Sequence, residues 1–185
     1  MYKSTQFLIV FFLILSLRAS AGSTDRQLKK EIDQVSDKLY EDPNGVKIKL
    51  LKLLSQNPDA DPELRGGAYL TLAADYGMTG NLDSGLWATD KAIGALPDNA
   101  YDNMNALKTR AILHRLKGDF NAAEADLKQA LGFNDSLFKN LTMEFVILQE
   151  YSALCFDRVE YNKATQLLIK AASVFEKVDK KEYGY

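Results

Sequence analysis

The sequence predicts an all-α fold, an α-solenoid of antiparallel helix pairs. Three observations carry that prediction. One pattern of apolar and small residues occurs three times, about forty residues apart, around Ala73, Ala111 and Ser152. Within each copy the apolar positions recur at steps of three and four, the period of one helix face. No segment alternates with period two for long enough to make a strand. Self-similarity at this period marks stacked helical hairpins, each of which needs its neighbours to bury its apolar face.

The first element is a separate object. Lys3 precedes the apolar run Phe7-Leu8-Ile9-Val10-Phe11-Phe12-Leu13-Ile14-Leu15, and Ala19-Ser20-Ala21 follows it. A charged start, a short apolar core and small residues at this spacing predict a signal peptide over 1–21, cleaved after Ala21. The run is short for a membrane-spanning helix. The chain is therefore expected to be periplasmic or secreted. A membrane tether, through an uncleaved signal or a missing C-terminal segment, is the alternative the sequence leaves open; Arg18 just after the run, unusual for a cleavage region, keeps the uncleaved signal open.

Residues 22–60 predict a degenerate N-terminal hairpin. Leu28, Ile32, Val35 and Leu39 form one helix face to about residue 41, with Ser23 or Thr24 as its cap. Asp42-Pro43-Asn44-Gly45 reads as a turn. Ile48, Leu50, Leu51, Leu53 and Leu54 place a second helix over 46–56, closed by Asn57-Pro58. Residues 61–185 then hold the repeats, in units 62–97, 101–135 and 137–178. Asp61-Pro62-Glu63 combines a capping carboxylate, proline at the first helical position and an acid at the positive helix end. From there helices are predicted over 62–78, 82–96, 101–117, 120–131, 137–156 and 161–178. Thr79-Gly80-Asn81, Pro97-Asp98-Asn99, Gly118-Asp119, Asn134-Asp135-Ser136 and Arg158-Val159-Glu160 separate them.

These repeats resemble the tetratricopeptide repeat family. Tyr69, Leu72, Ala73, Tyr76, Ala92 and Pro97 fit its pattern in the first copy. Leu107, Ala111, Gly118, Phe120, Ala123, Leu127 and Ala130 fit in the second, and Leu148, Ser152, Tyr161, Ala164, Leu168 and Ala171 in the third. Gly85, Thr89, Arg110, His114 and Val159 depart from it. Small residues at these positions let helices touch while large ones fill the space around them. The chain is similar to the exported N-terminal repeat region of bacterial signalling proteins.

The resemblance implies an inner groove lined by the first helix of each pair. Its peptide-binding residues would be Asn105, Lys108, Ile112, Arg115, Gln149 and Phe156, with Leu70, Ala74, Gly77 and Met78 alongside. Lys108 and Arg115 would pair an acidic group of the peptide. The lysine–asparagine set with which family members clamp a chaperone's C-terminal carboxylate is absent, because Ile112, Val146 and Glu150 occupy its places. The chain also stops mid-pattern: Glu182-Tyr183-Gly184-Tyr185 resembles the opening of another first helix after a charged turn, which predicts a fragment of a longer protein.

Composition narrows the function further. The chain has 185 residues, 46% of them hydrophobic, and a formal net charge of −2. It lacks a basic stripe, which argues against nucleic acid as a partner. Cys155 is the only cysteine, so disulfides cannot hold an exported chain together, and a buried, inert thiol is expected. His114 is the only histidine and replaces a packing tyrosine; a structural role is expected. Trp87 reads as packing or outer-face surface. Asn134-Asp135-Ser136 and Asn140-Leu141-Thr142 match the glycosylation sequon. No phosphate loop, metal-spaced cluster or nucleophile motif occurs, so the expectation is no enzyme, no metal and no small-molecule cofactor. The function predicted is protein or peptide binding in the sensory or scaffolding part of an envelope signalling protein. The alternative is a self-standing periplasmic scaffold or assembly factor.

Overall fold

The computed structural model describes residues 25–97 and 101–183, the last five of these as backbone alone. The signal peptide, the Ser23 or Thr24 cap, Asp98 and Asn99 of one loop, and Gly184-Tyr185 lie outside the described residues. Among the described residues every regular element is helical. The elements are α1 (25–36), α2 (Pro43–Gln56), α3 (Pro62–Met78), α4 (Leu82–Ala95), α5 (Tyr101–Lys117), α6 (Phe120–Phe133), α7 (Leu141–Asp157) and α8 (Tyr161–Tyr183). A π-helical turn, Asn134–Phe138, follows α6. Helices pack in sequential pairs, α3 on α4, α5 on α6 and α7 on α8. The first helices of neighbouring pairs also meet, α3 with α5 and α5 with α7.

Capping explains most boundaries. Asp61 accepts from the Glu63 and Leu64 amides, with Pro62 as the first helical residue. Asn81, Asp119 and Asn140 accept from the amides of Ser84, Ala122 and Met143 in the same way. Several boundaries differ from expectation. The first helix stops at residue 36 rather than 41, and Asp42-Pro43-Asn44-Gly45 is the first turn of α2, not a loop. The Asp42 carboxylate accepts from the Gly45 amide at 2.9 Å, and Pro43 starts the helix.

Asn134-Asp135-Ser136 continues the chain helically instead of separating two units. The wide turn closes when the Lys139 amide donates to the Asn134 carbonyl, with Lys139 in the left-handed region at φ 49°. The Asn134 side chain accepts from the Asn140 amide at 3.0 Å. This side chain is 1% exposed, so the first sequon is closed to a glycan in the folded chain. α7 accordingly starts at Leu141, four residues later than expected. α8 continues through Tyr183, so the charged residues 179–182 are helical rather than a turn.

The small residues stand where helices touch. Ala73, Ala88, Ala92, Ala111, Ala123 and Ala130 are fully or almost fully buried. Ser152 adds a buried hydrogen bond, its hydroxyl donating to the Ala164 carbonyl across the α7–α8 hairpin at 2.9 Å. The departures from the repeat pattern also have causes. A Cβ at Gly85 would stand 3.0 Å from Leu113 Cδ1, and one at Gly77 would stand 3.2 Å from Cδ2. Glycine at both positions makes the seat for Leu113. Thr89 is buried and donates to the Leu86 carbonyl. Arg110 replaces an apolar residue because it is a strut between helices: Nε and Nη2 donate to the buried Asp126 of α6, and Nη1 donates to Asp90 of α4. Leu168 fits the pattern by position only. Its counterpart Leu127 is 1% exposed, whereas Leu168 is 51% exposed, because no described helix covers that face of α8.

Candidate peptide-binding face

Asn105, Lys108, Ile112 and Arg115 follow one another at steps of three, four and three, so α5 presents them as one stripe. All four are partly exposed. On the neighbouring α7, Gln149 and Phe156 are exposed. Phe156 packs edge-on against Tyr161, ring centres 5.3 Å apart. Met78, Leu116 and Phe156 stand at the C-terminal ends of α3, α5 and α7, each more than half exposed. The predicted site residues thus belong to two adjacent first helices, with a rim of large apolar side chains at one end.

The two cations differ in what they face. Arg115 Nη1 donates to Asp157 at 2.7 Å, and Nη2 lies 3.8 Å from Glu150. Both acids are on α7, so this arginine is a strut between two first helices and its charge is already matched. Its buried Nε finds no partner among the described residues. Lys108 makes no ion pair there. Burial lowers its ammonium pKa from the ordinary 10.5, with Glu150 opposing the shift. Lys108 is therefore the cation of this face that an incoming carboxylate could pair.

The strut had a legible signal that reading for a ligand passed over. Lys108 and Arg115 are seven residues apart on α5, and Glu150 and Asp157 are seven apart on α7. Two turns of helix separate each pair, so two like-spaced stripes of opposite charge can meet when the helices lie side by side.

The remaining singled-out residues fall into the framework. Cys155 is buried, and burial pushes its thiol up from the ordinary 9.0, which disfavours the reactive thiolate. His114 is half-buried, its Nδ1 3.8 Å from Asp119. Trp87 packs edge-on against Tyr69 at 5.7 Å and keeps one side in solvent. Among the described residues no group of three His, Cys, Asp or Glu side chains is placed to hold a metal ion, and no helix is long and apolar enough to cross a membrane. No protein-family model and no curated protein matches the chain.

A third cluster escaped the sequence reading altogether. Glu124 of α6 accepts from Tyr151 Oη of α7 at 2.5 Å and from Arg158 in the α7–α8 turn. Lys128 lies 3.0 Å away and Lys163 of α8 3.4 Å away. The Lys163 ammonium also sits 5.1 Å over the Tyr151 ring. These donors hold the Glu124 carboxyl far below the usual carboxylate range, the Tyr151 hydroxyl first among them. Burial, with Glu124 beside it, pushes Tyr151 up to about 12. The cluster is a clasp across three helices, and only Lys128, four residues after Glu124 on α6, is spaced as a pair within one helix.

Proposed function

We propose that the chain is an exported tetratricopeptide-like interaction module that holds an extended protein segment on its α3–α5–α7 face, as the sensory or scaffolding part of an envelope signalling protein. The observation that supports this most is the character of that face. It carries a half-buried lysine that forms no ion pair among the described residues, a partly exposed Ile112 and an exposed apolar rim of Met78, Leu116 and Phe156. An extended peptide with an acidic group and apolar anchors would satisfy both features.

The test is capture of partners from envelope extract, identified by mass spectrometry. Lys108→Gln, which sets no charge beside Glu150, should strongly weaken capture of the recovered partner while helix content and unfolding midpoint stay unchanged. Unimpaired capture would remove this face from the reading. Arg115→Glu is the wrong variant, because it would set a third carboxylate against Glu150 and Asp157 and unfold the junction. Export has its own check: the protein recovered from an envelope or secreted fraction should begin at Gly22. Recovery with Met1 intact would replace cleavage with an anchor.

A further inference from the structure

We infer that the α1–α2 hairpin is a pH-releasable cap on the repeat array, with the Asp75 carboxyl as its latch. Asp75 stands two residues after Ala73, as Leu113 stands two after Ala111 and Leu154 two after Ser152. Leu113 shows where this register position points, back onto Gly77 and Gly85 of the preceding hairpin. For Asp75 the preceding hairpin is α1–α2. A carboxyl therefore occupies the place that two sister hairpins fill with leucine.

The surroundings are those of a leucine too. Asp75 is 0% exposed, and neither carboxyl oxygen finds a hydrogen-bond partner among the described residues. Among the described residues Lys47 of α2 is the one charged group that acts on it; α1, α4, α5 and the rest of α3 supply none. The Lys47 ammonium donates to Asn44 at 3.0 Å and lies 5.8 Å over the Tyr76 ring, so it forms no ion pair with Asp75. A carboxylate left this way is hydrated only if the covering hairpin moves off; a neutral carboxyl tolerates burial far better.

The hairpin is also the element most able to move. Among the described residues no ion pair joins α1 or α2 to the other helices, whereas Asp83–Lys117, Arg110–Asp90, Arg115–Asp157 and the Glu124 clasp tie the later hairpins together. What holds α1–α2 is the apolar cluster of Leu28, Ile32, Val46, Leu50 and Leu72, with a Ser36–Thr71 hydroxyl contact at 3.3 Å, the Asp61 amide donating to Asp25 at 3.4 Å and Lys47 over the Tyr76 ring.

The direction follows from burial, which raises the Asp75 pKa above the ordinary 3.8, with Lys47 partly opposing. A raised pKa in the docked state means that docking is strongest below the ordinary value and weakens as pH rises through the raised one. Acid seats the cap and neutral medium loosens it, with one proton exchanged per opening.

Hydrogen exchange on the full chain, followed by mass spectrometry from about pH 4.5 to 8 and corrected for chemical exchange, tests this. Between the ordinary 3.8 and the raised value the opening equilibrium of α2 amides should increase by up to about tenfold per pH unit and then level off, while α5 and α6 amides show no such slope. Asp75→Asn should flatten the α2 profile. Asp75→Leu, the side chain of the sister hairpins, should flatten it and keep α2 protected throughout. A flat wild-type profile, or a slope that persists in both variants, overturns the inference.

Discussion

Two carboxyl groups at two hairpin junctions sit in opposite environments. Asp75, at the junction of the first two pairs, is buried without a hydrogen-bond donor among the described residues. Glu124, at the junction of the last two, accepts from Tyr151 and Arg158 and lies beside two lysines. Burial drives the first pKa up, and donors drive the second down. One repeat architecture therefore has ends that respond to acid in opposite senses. The apolar packing is similar at both junctions; the polar groups inserted into it set the difference.

Removing the clasp is the harshest way to break this comparison. Glu124→Ala leaves the buried Tyr151 hydroxyl without its acceptor and Arg158 with Asn121 in place of a carboxylate, and should cost about 3 kcal/mol. Denaturant unfolding followed by helix circular dichroism measures it, with exchange confined first to α7 and α8. The pH dependence has a fixed sign. A depressed pKa gives stability that is present above the ordinary 4.5 and lost as pH falls from there through the folded value. Exchange in α7 and α8 should rise below about pH 4.5, whereas acidification from neutral lowers exchange in α2 until the ordinary 3.8 of Asp75 is reached.

Repairing the other junction is gentler. Asp75→Asn removes the ionisable group but leaves a polar one buried, so the gain at neutral pH should be about 1 kcal/mol. The gain should shrink as the medium is acidified and the wild-type carboxyl becomes neutral. A stability difference independent of pH would mean that packing, not ionisation, separates the two ends.

The fold was legible in the sequence where one helix face carried the information. Ala73, Ala111 and Ser152 mark close approach, and Asp61, Asn81 and Asp119 mark helix starts, because both are local chemistry. The boundaries near Asp42 and Asn134 were not, since a cap and a turn use the same residues: Asp-Pro opens α2 as readily as it would close α1. The candidate face was half legible. The α5 stripe follows from periodicity, but the role of Arg115 depends on which helix lies beside α5, and that is a tertiary fact. Glu124, Tyr151, Arg158 and Lys163 meet from three helices, so no window of sequence contains them. Asp75 was visible only as a departure, an acid where Leu113 and Leu154 stand in the sister copies.

The smallest predicted effect separates backbone from side chain at the clasp. The turns after α3 and α5 place glycine in the left-handed region, Gly80 at φ 74° and Gly118 at φ 86°. The turn after α7 places Val159 there at φ 65°. A β-branched residue in that region carries a steric cost of about 1–2 kcal/mol, and glycine gives back about half to one of these through its freer unfolded state. Val159 is exposed, so its removal leaves no cavity. Val159→Gly should therefore stabilise the chain by about 0.5 kcal/mol, seen as a higher unfolding midpoint with an unchanged denaturant slope. The neighbouring Arg158 and Glu160 amides donate to Leu154 and Cys155 in this turn, and a glycine keeps both bonds. If the clasp holds the valine in place against its strain, Val159→Gly should stabilise the Glu124→Ala chain less than it stabilises the wild type, because the unclasped turn can already relax. Additive effects would mean that the turn keeps its shape without the clasp.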